Sequence, residues 1–165
     1  MILPIIVMGV SGAGKTTLAQ ALAHALDRLF IEGDTLHPAA NIAKMSSGRP
    51  LTDEDRWPFL DNVALALATA SGPAVASCSA LKRSYRDRLR AGAGDLLFVF
   101  PDVSRADLER RMAHRADHFM PPALLDSQLA TLEPPTGDER VVHINGALGA
   151  DEQLSAVLAA IKAQA

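Results

Sequence analysis

Apolar positions along this chain fall into two alternating kinds of run. Short unbroken runs occupy Ile2 to Met8, Leu29 to Ile31, Val75 to Cys78, Leu96 to Phe100 and Val141 to Ile144. Unbroken apolar residues suit strands covered on both faces. Between them the apolar residues recur at helical spacing. Leu18, Leu22 and Leu26 fall at i, i+4 and i+8, which predicts a helix over Thr16 to Leu26. Further helical patterns lie near residues 57–70, 80–91, 104–115 and 122–133. A last helix carries Leu154, Val157, Leu158 and Ile161. Pro4 stands near the start of the first strand, where a missing N–H is tolerable. Strand–helix alternation predicts a parallel five-stranded sheet with right-handed crossovers, an α/β fold of three layers (α/β/α).

The chain shows no internal repeat, low-complexity tract or long linker, so residues 1–165 read as a single domain. Its composition, 48% hydrophobic and 21% charged, is that of an ordinary globular protein. A net charge of -3 supplies no basic field, so a nucleic-acid partner is not expected. No apolar run approaches the roughly 20 residues that span a bilayer, so no membrane partner is expected either. The N-terminal MILPIIVMG lacks a basic n-region and an A-x-A-like site. The one cysteine, Cys78, excludes an internal disulfide and fits a reducing, cytoplasmic setting. It reads as a small buried hydrophobe at a strand end.

Chemistry enters at GVSGAGKTT, which runs from the first strand into the first helix. Gly9, Gly14, Lys15 and Thr16 match G-x-x-x-x-G-K-[ST] between a strand and a helix, as that pattern requires. Gly9, Val10, Ser11, Gly12, Ala13, Gly14, Lys15, Thr16 and Thr17 are therefore the expected nucleotide cradle. Inward N–H groups and the helix dipole favour phosphate. Lys15 can reach the β/γ-phosphates, and the Thr16 hydroxyl can ligate Mg²⁺, a hard cation that takes oxygen ligands. The motif points to a nucleotide bound with Mg²⁺ and leaves the phosphoryl acceptor open. Strand three carries no Asp or Glu where many such proteins place a metal-organising carboxylate.

Asp34 follows the second strand, at the edge where open α/β sheets bind ligands. It reads either as a base for an attacking hydroxyl or as a turn residue, since G-D is a common turn pair. Glu32, two residues earlier, is a weaker candidate for a water-mediated Mg²⁺ contact. His37 reads as a packed residue or a ligand contact. Pro38 can open a helix through Asn41, Lys44 and Met45. Lys44 is a cation for a carboxylate or a solvated surface charge. Arg56 is a bidentate carboxylate binder or a helix-surface charge, and the preceding Thr52-Asp53-Glu54-Asp55 looks like a helix cap and first turn. Lys82 and Arg86, four apart on an expected helix, share a face that could hold a carboxylate.

GVSGAGKT, EGDTLHP (32–38), NIAKM (41–45), PLTDEDRWPFL (50–60), CSALKRSYRDRLR (78–90) and HFMPPALLDSQLATLEPP (118–135) together resemble the small gluconokinases. These are P-loop kinases of D-gluconate related in fold to shikimate and adenylate kinases. The resemblance covers nearly the whole chain. It implies a P-loop kinase fold with a substrate segment near 35–60 and a small lid near 114–135. It implies phosphorylation of gluconate by ATP, catalysed with Lys15, Asp34 and Arg115. It implies gluconate contacts from Asp34, His37, Lys44, Arg56, Lys82 and Arg86, and Arg111 against the adenine. His118 and Gln128 are implied lid residues, Asn145 to Gly149 an adenine border, and a homodimer the assembly. A kinase of another small hydroxy acid, and a nucleotide-binding module without transfer, are the rival readings.

Overall fold

The computed structural model describes residues 2–114 and 122–165. Five strands, β1 (Ile5–Val7), β2 (Phe30–Glu32), β3 (Val75–Ser77), β4 (Leu97–Asp102) and β5 (Val141–Asn145), form one parallel sheet in the order β2-β3-β1-β4-β5. The helices are α1 (Lys15–Ala25), α2 (Ala39–Ser46), α3 (Asp53–Thr69), α4 (Arg83–Ala93), α5 (Arg105–Ala113), α6 (Pro122–Thr131) and α7 (Ala150–Gln164).

The central strand shows why the apolar runs are unbroken. Ile5 and Val7 face a core with Leu18, Leu22 and Val157, from α1 and α7. Ile6 and Met8 face the opposite core with Phe59, Val63, Tyr85 and Leu89, from α3 and α4. Both faces are dry, and each side chain buried there contributes about 1.5–3 kcal/mol. The three-layer parallel α/β fold is as expected.

Differences lie at the element ends. The first strand narrows to Ile5–Val7, and Ile2 is exposed. The second strand moves one residue on, leaving Leu29 exposed and bringing Glu32 to the strand's end. Helix α3 begins at Asp53, ahead of the apolar pattern, because Thr52 and Asp55 close a reciprocal capping box. Helix α4 begins at Arg83, not near 80. Ala80 is left-handed (φ 46) and Lys82 is extended (φ -97, ψ 152), so neither continues the helix. Part of the expected lid, residues 115–121, lies outside the described residues.

Candidate active site

The loop between β1 and α1 is a backbone cradle. Gly9, Gly12 and Gly14 all have φ in the left-handed region, at 136°, 85° and 85°. Other residues are strained there. Gly9 N–H donates to the Ser79 carbonyl (3.1 Å) and Ala13 N–H to the Val10 carbonyl (3.2 Å), which sets the loop's curvature. Lys15 folds back so that Nζ donates to the Val10 carbonyl at 3.0 Å. No side chain caps α1, so its first-turn N–H groups are offered to a ligand. Those residues fit a polyphosphate.

Beside the cradle, β2 and β3 approach unusually closely at Gly33. A Cβ there would lie 1.9 Å from the Ser77 carbonyl oxygen, so only glycine fits. That approach places the residues flanking Gly33. Glu32 accepts a hydrogen bond from Thr16 Oγ1 through Oε2 (2.8 Å) and from Ser77 Oγ through Oε1 (2.6 Å). A carboxylate therefore meets the nucleotide-loop threonine from β2. Ser77, at the end of β3 where an acid is missing, orients it. This set of hard oxygen groups fits Mg²⁺.

Asp34 lines a cavity of about 220 Å³ together with Ser11 and Lys15 of the loop. The cavity continues to His37, Arg56 and Phe59. His37 stacks on Phe59, with ring centroids 3.7 Å apart and an interplanar angle of 9°. Burial pushes the imidazole below its ordinary value; nearby Asp34 opposes that shift and Arg56 adds to it. The ring is thus neutral near pH 7. Arg56 Nη1 donates to the Leu51 carbonyl (2.7 Å) and to Tyr85 Oη (3.1 Å). Its Nε and Nη2 have no hydrogen bond to the described residues. Tyr85 in turn donates to Asp53 at 2.5 Å. Burial first, and then the Asp53 contact, push the phenol up to about 12. It stays a neutral hydrogen-bonding prop for Arg56.

Three expected carboxylate binders stand elsewhere. Lys44 is engaged by Asp55 at 2.6 Å, the carboxylate that also caps α3. Lys82 pairs with Asp53 at 3.2 Å and lies over the Tyr85 ring. The acids of the TDED turn are thus counter-ions as well as first-turn residues. Arg86 is buried and spans Glu139 with Nε–Oε1 2.7 Å and Nη2–Oε2 3.0 Å, while Nη1 donates to the carbonyls of Ala80 and Leu81. Lys82 and Arg86 do not share a helix face, because Lys82 precedes the helix. Arg86 is a framework residue beneath the cavity, with every guanidinium nitrogen bonded away from it.

Arg111 joins the nucleotide loop to the far end of the sheet, donating to the Gly12 carbonyl (3.2 Å) and the Gly146 carbonyl (2.5 Å). It borders a second cleft of about 330 Å³ with Thr17 and Leu148. Gln153 shapes that border by donating to the Gly146 and Leu148 carbonyls. Asn145 to Gly149 thus lies beside the cradle. Arg115 and His118 fall outside the described residues. Gln128 reaches the cradle itself, with Ser11 N–H donating to its Oε1 at 2.7 Å. Sequence spacing carries no trace of that contact between residues 117 apart. Cys78 is buried in the hydrophobic core, and burial pushes its thiol up to about 12, leaving it unreactive.

The AAA domain family model matches residues 5–135. A gluconokinase of Gluconobacter oxydans is 51% identical over 146 residues, spanning 86% of this chain and 82% of that protein. The thermosensitive gluconokinase of Escherichia coli is 46% identical, spanning 85% of this chain and 77% of its own. The crystal structure of a gluconokinase from Sinorhizobium meliloti superposes with a TM-score of 0.92 at 51% identity, covering 99% of this chain and 94% of that one.

Proposed function

The chain belongs to the gluconokinase family, and from that premise we propose that it moves the γ-phosphoryl group of ATP to the primary hydroxyl of D-gluconate, yielding 6-phospho-D-gluconate and ADP. The observation that carries the reading is one cavity lined by Lys15, Asp34 and Arg56 together. It joins a phosphate cradle, a base and a cation for an acid.

In this account Arg56 receives the gluconate carboxylate through Nε and Nη2, a planar fork suited to it. Neutral His37, stacked on Phe59, offers a ring nitrogen to the hydroxyls. Asp34 accepts the proton of the attacking hydroxyl as the new O–P bond forms and the bond to the β-phosphate oxygen breaks. Lys15 leaves the Val10 carbonyl to meet the developing charge. Thr16 and Glu32 would hold Mg²⁺, which when bound supplies charge neutralisation on the phosphates. Arg111 would border the adenine, and Arg115 would neutralise charge on the transferring group. The cavity is small beside the roughly 300–1,000 Å³ of drug-sized sites, which suits a six-carbon acid. A cytosolic homodimer follows from the family reading; mass measurement in solution tests the assembly. No helix among the described residues is long and apolar enough to cross a membrane.

The test is ADP release from ATP in the presence of gluconate, beside shikimate, AMP and other sugar acids. Turnover dependent on gluconate supports the reading. Turnover with shikimate or AMP in its place overturns it.

A further inference from the structure

Gln128 lies on α6 and is half-buried, and it lines the cavity that contains Asp34 and Arg56. Its position is held from behind. Leu124 and Leu125 bury the same helix in the core. Just past the helix, Glu133 N–H donates to the Leu81 carbonyl (2.8 Å) and Glu133 Oε1 accepts from Arg83 N–H (2.9 Å). The side chain therefore arrives at the nucleotide loop from a fixed platform.

Its orientation is determined by chemistry. The Ser11 N–H at 2.7 Å is a donor, so only the carboxamide oxygen can face it. The Nε2 group then points away from Ser11, and it has no hydrogen bond to the described residues. Here one end is fastened to the phosphate loop. The other end is a donor with no partner among the described residues, in a cavity whose expected occupant is rich in acceptor oxygens.

We propose that Gln128 is a positioning and specificity residue for the phosphoryl acceptor. Oε1 is clamped by Ser11 N–H, and Nε2 donates to an oxygen of the polyol acid held between the nucleotide loop and Arg56. This rests on the gluconate reading above. Gln128 aligns the acceptor against the loop that carries the donor phosphate, and it does so through hydrogen bonds without charge.

The experiment is calorimetric titration of gluconate in saturating ADP, and of ADP alone, for the wild type, Gln128→Glu and Gln128→Met, with melting temperature measured for each. Gln128→Glu keeps the oxygen that Ser11 needs but replaces the donor with an anionic oxygen. Gln128→Met removes both. The proposal expects gluconate affinity to fall about tenfold or more in both variants, the worth of one well-placed hydrogen bond. ADP affinity should stay within about threefold, and the Glu variant should melt as the wild type does. Wild-type gluconate affinity in Gln128→Glu overturns the proposal, because the loop contact alone would then suffice. Equal losses for ADP and gluconate overturn it too, leaving only a prop for the loop. A wild-type protein that binds no gluconate contradicts the parent reading instead, and this one falls with it.

Discussion

Arg86 and Glu139 form a two-pronged ion pair in the interior, with both side chains 1% exposed and Nε–Oε1 at 2.7 Å. The third guanidinium nitrogen binds the carbonyls of Ala80 and Leu81 at 2.9 and 3.2 Å. Ala80 is left-handed, a conformation that costs an L-residue about 1–2 kcal/mol. Leu81 lines the cavity beside Asp34. The ion pair therefore holds a strained loop in the shape the cavity needs.

Arg86→Ala should destabilise the protein by about 3–5 kcal/mol, because it leaves a buried carboxylate uncompensated. Urea denaturation measures this. A variant with full stability and a selective loss of gluconate affinity would instead make Arg86 a ligand contact.

Acid should weaken the same region. Burial alone would raise the Glu139 carboxyl, but hydrogen bonds from Arg86, Arg90 and the Thr136 amide outweigh it and hold the group at about 2. The Asp55 carboxyl also lies at about 2, held down by Lys44 and Thr52. Depressed folded values mean that the unfolded chain binds protons first as pH falls. The contribution to stability is complete above about pH 5 and is lost as pH drops from about 4.5 towards 2. Urea midpoints between pH 7 and 3 should fall within that window, and Asp55→Asn should flatten the fall. A midpoint independent of pH across it would contradict the assignment.

The layers, the parallel sheet and the nucleotide loop were legible because they rest on local signals. Apolar runs covered on both faces and a strand–glycine loop–helix are written in neighbouring residues. Charge pairing was not legible in the same way. Lys44, Lys82 and Arg86 each carried an expectation of binding a carboxylate, and each found one within the protein, at Asp55, Asp53 and Glu139. These partners lie 11, 29 and 53 residues away, beyond any spacing rule. Glu32 reads as only a weak metal candidate in the sequence, because the closeness of β2 and β3 depends on Gly33 meeting Ser77. That close approach exists only in three dimensions.

Arg56, and not Lys82, should discriminate the acid. Arg56→Ala should raise KM for gluconate about tenfold or more and leave KM for ATP nearly unchanged, since a charged hydrogen bond is worth roughly 1.5–3 kcal/mol. Lys82→Ala should have a smaller effect on gluconate, because its ammonium is occupied by Asp53. Steady-state kinetics with each substrate varied in turn checks this. A larger gluconate effect from Lys82→Ala would reverse the assignment.

Glu32→Gln should shift metal dependence more than nucleotide affinity. Its carboxylate orients Thr16, so the neutral variant should require a higher Mg²⁺ concentration for half-maximal rate. Titration of activity with Mg²⁺ reads the shift. An unchanged Mg²⁺ dependence would leave Glu32 only a link between strands.

Asp34 bears the central claim, that phosphoryl transfer to gluconate takes place in the cavity it lines. The most direct measurement is kcat for gluconate-dependent ADP release by Asp34→Asn, alongside ADP affinity and melting temperature. The expected result is a folded protein with near-normal ADP affinity and a kcat lowered about 10²–10⁴-fold, the range associated with general acid–base catalysis. A folded Asp34→Asn variant that turns over gluconate at the wild-type rate would contradict it.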